Sequence, residues 1–109
     1  MAKSRHDQIA ENLAKKFGTE YKKHQGIDIV TKKRVIEVET TKEGIYQGIN
    51  QIKRSPKTRY IAVDEKNIQN ALDTTEGTGI GVMDKNGRIL KRARRKSNEN
   101  RNIRRNLYA

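Results

Sequence analysis

Two short runs of β-branched residues, split by a lysine pair in Gly26-Ile-Asp-Ile-Val-Thr-Lys-Lys-Arg-Val-Ile-Glu-Val-Glu-Thr40, limit the fold of this chain more than any other segment. Side chains alternate along a strand, so over 34–40 Ile36 and Val38 share one face while Val35, Glu37 and Glu39 share the other. Over 27–31, Ile27 and Ile29 lie on one face and Asp28 lies opposite with Val30. If Lys32-Lys33 form a two-residue turn, positions summing to 65 face each other: Ile29 with Ile36, Ile27 with Val38, Asp28 with Glu37. A longer loop shifts the sum to 67 and puts Asp28 opposite Glu39. Either register gathers carboxylates, whereas a slip of one residue mixes the faces. Neither lysine favours positive φ, so the turn alone leaves the register open.

The rest of the chain supplies what this hairpin needs to pack against. Ile9, Leu13 and Phe17, flanked by Ala10 and Ala14, recur at helical spacing after the candidate caps Ser4 and Asp7 and before Gly18. Residues 19–25 give weak support for an edge strand. Ile45, Ile49 and Ile52 place a second helix over 42–55 despite two interior glycines, and Pro56 ends it. The apolar run 58–64 reads as a strand, 65–75 as a third short helix through Ile68, Ala71 and Leu72, and 77–90 as a hairpin turning at Asp84-Lys85-Asn86-Gly87. This order predicts an α/β domain over 1–92, with a mixed central β-sheet flanked by helices, followed by a basic tail over 93–109. A chain of 109 residues holds one such core, and the regular apolar spacing from Ile9 to Leu90 outweighs a charged fraction of 35% as a guide to order.

There is no cysteine, and His6 and His24 alone make no zinc site, so any metal would be held by oxygen. No apolar run has membrane length and the first residues lack a signal-peptide core, which reads as a soluble, cytoplasmic protein with no membrane partner. The net charge of +12 favours a polyanion. Residues 91–109 carry eight Lys/Arg against one Glu, a segment that reads either as a solubilising extension or as an arm for nucleic acid, through Arg92, Arg94, Arg95 and Lys96.

Like charges facing each other on a sheet cost up to ~1 kcal/mol per pair, and more where water is excluded. A hard dication such as Mg²⁺ or Mn²⁺ offsets that cost, because it takes carboxylate, water and phosphate oxygens as ligands. Gly26, beside the acids, would leave room for a substrate. The alternative is a solvated acidic face balanced by Lys22, Lys23, Lys32, Lys33 and Arg34. That explains Glu37 and Glu39 but poorly explains Asp28, set between two isoleucines in a strand that should exclude it.

Over residues 5–64 the chain resembles the PD-(D/E)XK nuclease superfamily, the restriction-endonuclease-like fold that includes archaeal Holliday junction resolvases. Asp28 matches the first acid of the motif and Glu37-Val38-Glu39 the second element. Ile27 stands at the proline position and Glu39 at the lysine position. The resemblance implies that Asp28, Glu37 and the Val38 carbonyl hold the metal. It further implies that Glu11 on the first helix joins them as a metal and catalytic residue, although Glu11 also suits a surface pair with Lys15. Glu39 is then a general base or a further ligand, with Lys42 or Lys53 supplying positive charge. Gln47 and Gln51 on the second helix are candidate contacts to nucleic acid, as are Lys53, Arg54, Lys57 and Arg59 around its end. His24 is assigned to a strand edge.

The expected activity is a Mg²⁺- or Mn²⁺-dependent endonuclease on DNA, selective for a junction, flap or end, leaving 5′-phosphate and 3′-hydroxyl products, as a homodimer. The rivals are a non-catalytic nucleic-acid-binding module of the same fold, and an RNA-binding or accessory subunit.

Overall fold

In the computed structural model, residues 3–23 and 26–94 are described. Helix α1 spans Arg5–Lys16; Ser4 caps it, its hydroxyl accepting the Asp7 N–H at 3.1 Å. Gly18, at φ 68°, turns the chain out of the helix. Strands β1 (Ile29–Val30) and β2 (Arg34–Glu39) follow, then α2 (Lys42–Ile52) and β3 (Thr58–Val63). A 3₁₀ turn over Glu65–Asn67 leads into α3 (Ile68–Thr74), and β4 (Gly81–Asp84) and β5 (Ile89–Lys91) close the order. Among the described residues the strands form a single mixed sheet in the order β1-β2-β3-β4-β5. β2, β3 and β4 run parallel, and an antiparallel strand lies at each edge. The expected α/β architecture, a mixed sheet flanked by helices, is therefore present.

Each face of the sheet has its own apolar layer. Ile9, Ala10, Leu13 and Ala14 of α1 pack on Ile29, Ile36, Val38, Tyr60, Ala62 and Met83. On the other face Ile45 and Ile52 of α2 and Ala71 of α3 pack on Val35, Ile61, Val63 and Val82. β3 lies between these layers, which is why its sequence is an almost unbroken apolar run: both faces are covered. The exception is Arg59, buried at 3% exposure, whose guanidinium donates to the carbonyls of Lys53 at 2.7 Å and Thr78 at 3.3 Å. It bonds the end of α2 to the loop before β4, so it is a structural residue and not the phosphate contact expected.

The hairpin register is the one summing to 65, with Ile29 opposite Ile36 and Val30 opposite Val35. β1, however, is two residues long and begins after Asp28. The expected pairing of Ile27 with Val38 does not form, because the Asp28 carboxylate takes the Val38 N–H at 2.9 Å. A side chain thus occupies the place of a ladder carbonyl. The segment 19–23 contributes one bridge, Tyr21 to Ile29, and no strand. The second hairpin turns as expected: Gly87 is at φ 84° and Asp84 Oδ1 accepts the N–H groups of Asn86 and Arg88. The domain extends past the expected end at residue 92. Ala93 packs on the α1 side of the core and the Arg94 N–H donates to the Gly79 carbonyl at 2.8 Å. Among the described residues no helix is long and apolar enough to cross a membrane.

Candidate metal centre

Asp28, Glu37 and Glu39 converge just before β1 begins, toward the C-terminal end of β2, each offering a carboxylate oxygen within 4.8 Å of the others'. Two backbone contacts hold them. Asp28 Oδ2 accepts the Val38 N–H at 2.9 Å and Glu37 Oε1 accepts the Asp28 N–H at 2.8 Å, so each acid is fastened to the segment that carries the other. Asp28 and Glu37 are buried, with 7% exposure apiece. The Val38 carbonyl lies on the same edge of β2 as its N–H, by the alternation of an extended backbone, and so opens toward Asp28.

Burial, with the charge of Asp28 second, pushes Glu37 up to about 8 and Glu39 up to about 7. Without a cation, then, the cluster carries protons near neutral pH. Three carboxylates with no nitrogen or sulfur among them form a hard, oxygen-only donor set, and such a set fits Mg²⁺ or Mn²⁺.

Room for Glu39 comes from α2. A Cβ placed on Gly44 would stand 2.5 Å from Glu39 Oε1, and one on Gly48 would stand 3.0 Å from Glu39 Oε2. The two interior glycines, one turn apart, therefore form a groove that receives this carboxylate. Thr41 caps the same helix, its hydroxyl accepting the Gly44 N–H at 2.9 Å.

The first helix reaches the cluster through His6. His6 Nε2 lies 3.1 Å from Asp28 Oδ2, while its Nδ1 faces Tyr21 Oη at 3.2 Å. The hydrogen bond to Asp28 is the main cause that raises the imidazole to about 9, against the lowering effect of burial. Tyr21 in turn donates to Asp7 at 2.8 Å, and Lys23 pairs with the other oxygen of Asp7 at 2.9 Å. Bonds from Lys23 and Tyr21 hold Asp7 well below the usual carboxylate range.

Glu11, expected to join the metal, does not reach it. Its carboxylate is exposed and pairs with Lys3 at 2.5 Å. At 100° per residue Glu11 lies about 130° around α1 from the buried stripe, whereas His6 falls on that stripe one turn before Ala10. Nor do Lys42 or Lys53 contact the acids among the described residues; His6 is the positive group there.

Gln47 and Gln51 are exposed and flank the glycine stripe of α2, and Gln51 Nε2 comes within 3.6 Å of a Cβ placed on Gly26, beside Asp28. The basic residues are elsewhere. The β2–α2–β3 crossover carries Lys53, Arg54 and Lys57 to the N-terminal end of β3, opposite Glu39. Lys57 donates to the Thr31 carbonyl at 2.7 Å. Arg92 and Arg94 are exposed after β5, at the sheet edge farthest from β1. Arg95, Lys96 and His24 lie outside the described residues. The expected nucleic-acid contacts are thus not gathered around the acids.

Comparison with protein-family models, curated proteins and solved structures finds no match to this chain.

Proposed function

We propose that the protein is a metal-dependent nuclease that hydrolyses phosphodiester bonds in DNA, with Asp28, Glu37 and Glu39 as its centre. The observation that carries this reading is the meeting of three carboxylate oxygens within 4.8 Å, two of the three residues being buried. Asp28, Glu37 and the Val38 carbonyl would hold a divalent cation, which when bound supplies Lewis acidity toward a phosphate oxygen. Glu39, set in the glycine groove of α2, would orient the attacking water and take its proton. Gln51, beside Gly26, would contact the strand being cut, and the basic surface supplies affinity. Selection by DNA structure, such as a junction, flap or end, suits a centre carried at one edge of a small five-stranded sheet.

The decisive experiment incubates wild type and Glu37→Ala with labelled single-stranded, duplex, flap and junction DNA, with and without Mn²⁺. Metal-dependent cutting by wild type alone supports the reading, while equal cutting by both removes Glu37 from it.

One contact favours a second reading, a non-catalytic nucleic-acid-binding module. His6 already places a positive group 3.1 Å from Asp28, so part of the charge a cation would neutralise is balanced within the chain. That reading expects no cation binding that depends on Asp28.

A further inference from the structure

A cluster of positive side chains lies at the other end of β2 from the acids. A cleft of about 770 Å³ opens around the Thr31–Arg34 turn, and Lys32, Lys33, Arg34 and Lys57 line it. None of its lining residues is acidic, and none of these four cations enters an ion pair among the described residues. The Arg34 guanidinium is held 5.6 Å from the Phe17 ring centre and 5.5 Å from that of Tyr60, so two aromatic faces position it without using its N–H donors. Lys57 is held by its bond to the Thr31 carbonyl. Thr31 Oγ1 accepts the N–H groups of Lys33 and Arg34, which shapes the turn that presents both side chains.

Four positive charges facing one space repel each other, and a multiply charged anion relieves that repulsion. A planar guanidinium fork suits a phosphate, which accepts two parallel N–H bonds. The space is far larger than one phosphate, and Phe17 and Val30 give it apolar wall. We infer that this cleft binds the phosphate of a nucleotide unit through Lys32, Lys33, Arg34 and Lys57, with Phe17 and Val30 against its sugar or base. Arg34 and Glu39 are the two ends of the six-residue strand β2, about 16 Å apart at the rise of a strand, so this site is distinct from the carboxylate centre. It stands on its own residues and does not depend on metal binding.

The test measures binding of a fluorescent oligothymidylate single strand to the full chain in EDTA, where metal-dependent cutting is absent. Lys32 and Lys33 are exposed, so Lys32→Gln with Lys33→Gln leaves the core untouched. We expect this double variant to bind at least about tenfold more weakly, with the slope of log K against log salt smaller by about 1.4, two phosphate contacts' worth on a single strand. A control, Lys15→Gln with Lys66→Gln, removes equal charge outside the cleft and should change affinity by less than about twofold. Competition by thymidine 5′-monophosphate, if it displaces the strand, assigns the cleft to free nucleotides; absence of displacement assigns it to the polymer. Equal losses in both double variants, or no loss in the first, would overturn the inference.

Discussion

Glu37 accepts the backbone N–H of Asp28 at 2.8 Å, although Asp28 lies outside the strand that pairs with β2. The acid that a cation would need is thereby the acid that ends the β-ladder, and the hydrogen bonds lost to the ladder are replaced by carboxylate oxygens. The centre is built into the fold at the point where β1 starts.

Metal-free stability should fall as pH rises from mildly acid to alkaline. Glu37, Glu39 and His6 are raised to about 8, about 7 and about 9 from ordinary values of 4.5, 4.5 and 6.5. The folded protein thus holds protons that the unfolded chain releases. Their contribution is complete below the ordinary values and is lost as pH passes the folded ones. Asp7 acts in the opposite sense, its lowered pKa costing stability only in stronger acid. Melts in EDTA should peak between about pH 4 and 6 and decline toward pH 9. Saturating Mn²⁺ should flatten that decline, since the cation takes the place of the protons. A metal-free melting temperature that rises from pH 5.5 to 8.5 contradicts the charge balance described.

His6→Ala separates two roles for the imidazole. As a cation competing for Asp28, its loss should tighten Mn²⁺ binding at pH 7 roughly three- to tenfold, or about 0.7–1.4 kcal/mol. The metal-free protein should lose about 1 kcal/mol with the charged hydrogen bond. Weaker Mn²⁺ binding would instead make His6 a ligand.

The glycine groove predicts an unusual pair of outcomes for one substitution. Gly44→Ala improves helix propensity by about 1 kcal/mol, yet its Cβ meets Glu39 Oε1 at 2.5 Å and Thr41 Oγ1 at 2.9 Å. Because the carboxylate end can swing aside, the protein should fold with a melting temperature near wild type while metal-dependent cutting falls by at least about tenfold, some 1.4 kcal/mol of transition-state stabilisation. Unchanged cutting would remove Glu39 from the proposed chemistry.

Arg59→Ala should act on stability alone. Its guanidinium is buried on the Lys53 and Thr78 carbonyls, so the loss should be about 2–4 kcal/mol in denaturant melts. The salt slope of DNA binding should stay within error; a smaller slope would make Arg59 a phosphate contact after all.

Periodicity carried most of the architecture. Ile9 and Leu13 face the sheet as their spacing requires, Ile29 meets Ile36 in the register that matches apolar faces, and Asp84 through Gly87 turns the second hairpin. Asp28, Glu37 and Glu39 were legible as a group because alternation sets their faces. The late start of β1 was not: alternation cannot show that the Asp28 side chain will take the Val38 N–H in place of the ladder. The helical wheel of α1 does carry a signal for His6 and against Glu11, since only His6 continues the buried stripe. In sequence Gly44 and Gly48 are only weak points of a helix, because the carboxylate they receive comes from another element, and Arg59 reads as basic surface because nothing in its own strand shows that the end of α2 and the loop before β4 will offer it carbonyls.

Asp28, Glu37 and Glu39 are proposed to form a dication site. Titration of the EDTA-stripped full chain with Mn²⁺ by isothermal calorimetry at pH 7.5, wild type beside Asp28→Asn, tests it most directly. A dication held by these acids requires saturable wild-type binding that Asp28→Asn weakens by at least about tenfold, or 1.4 kcal/mol. Absence of binding to wild type, or equal binding by both proteins, would contradict it.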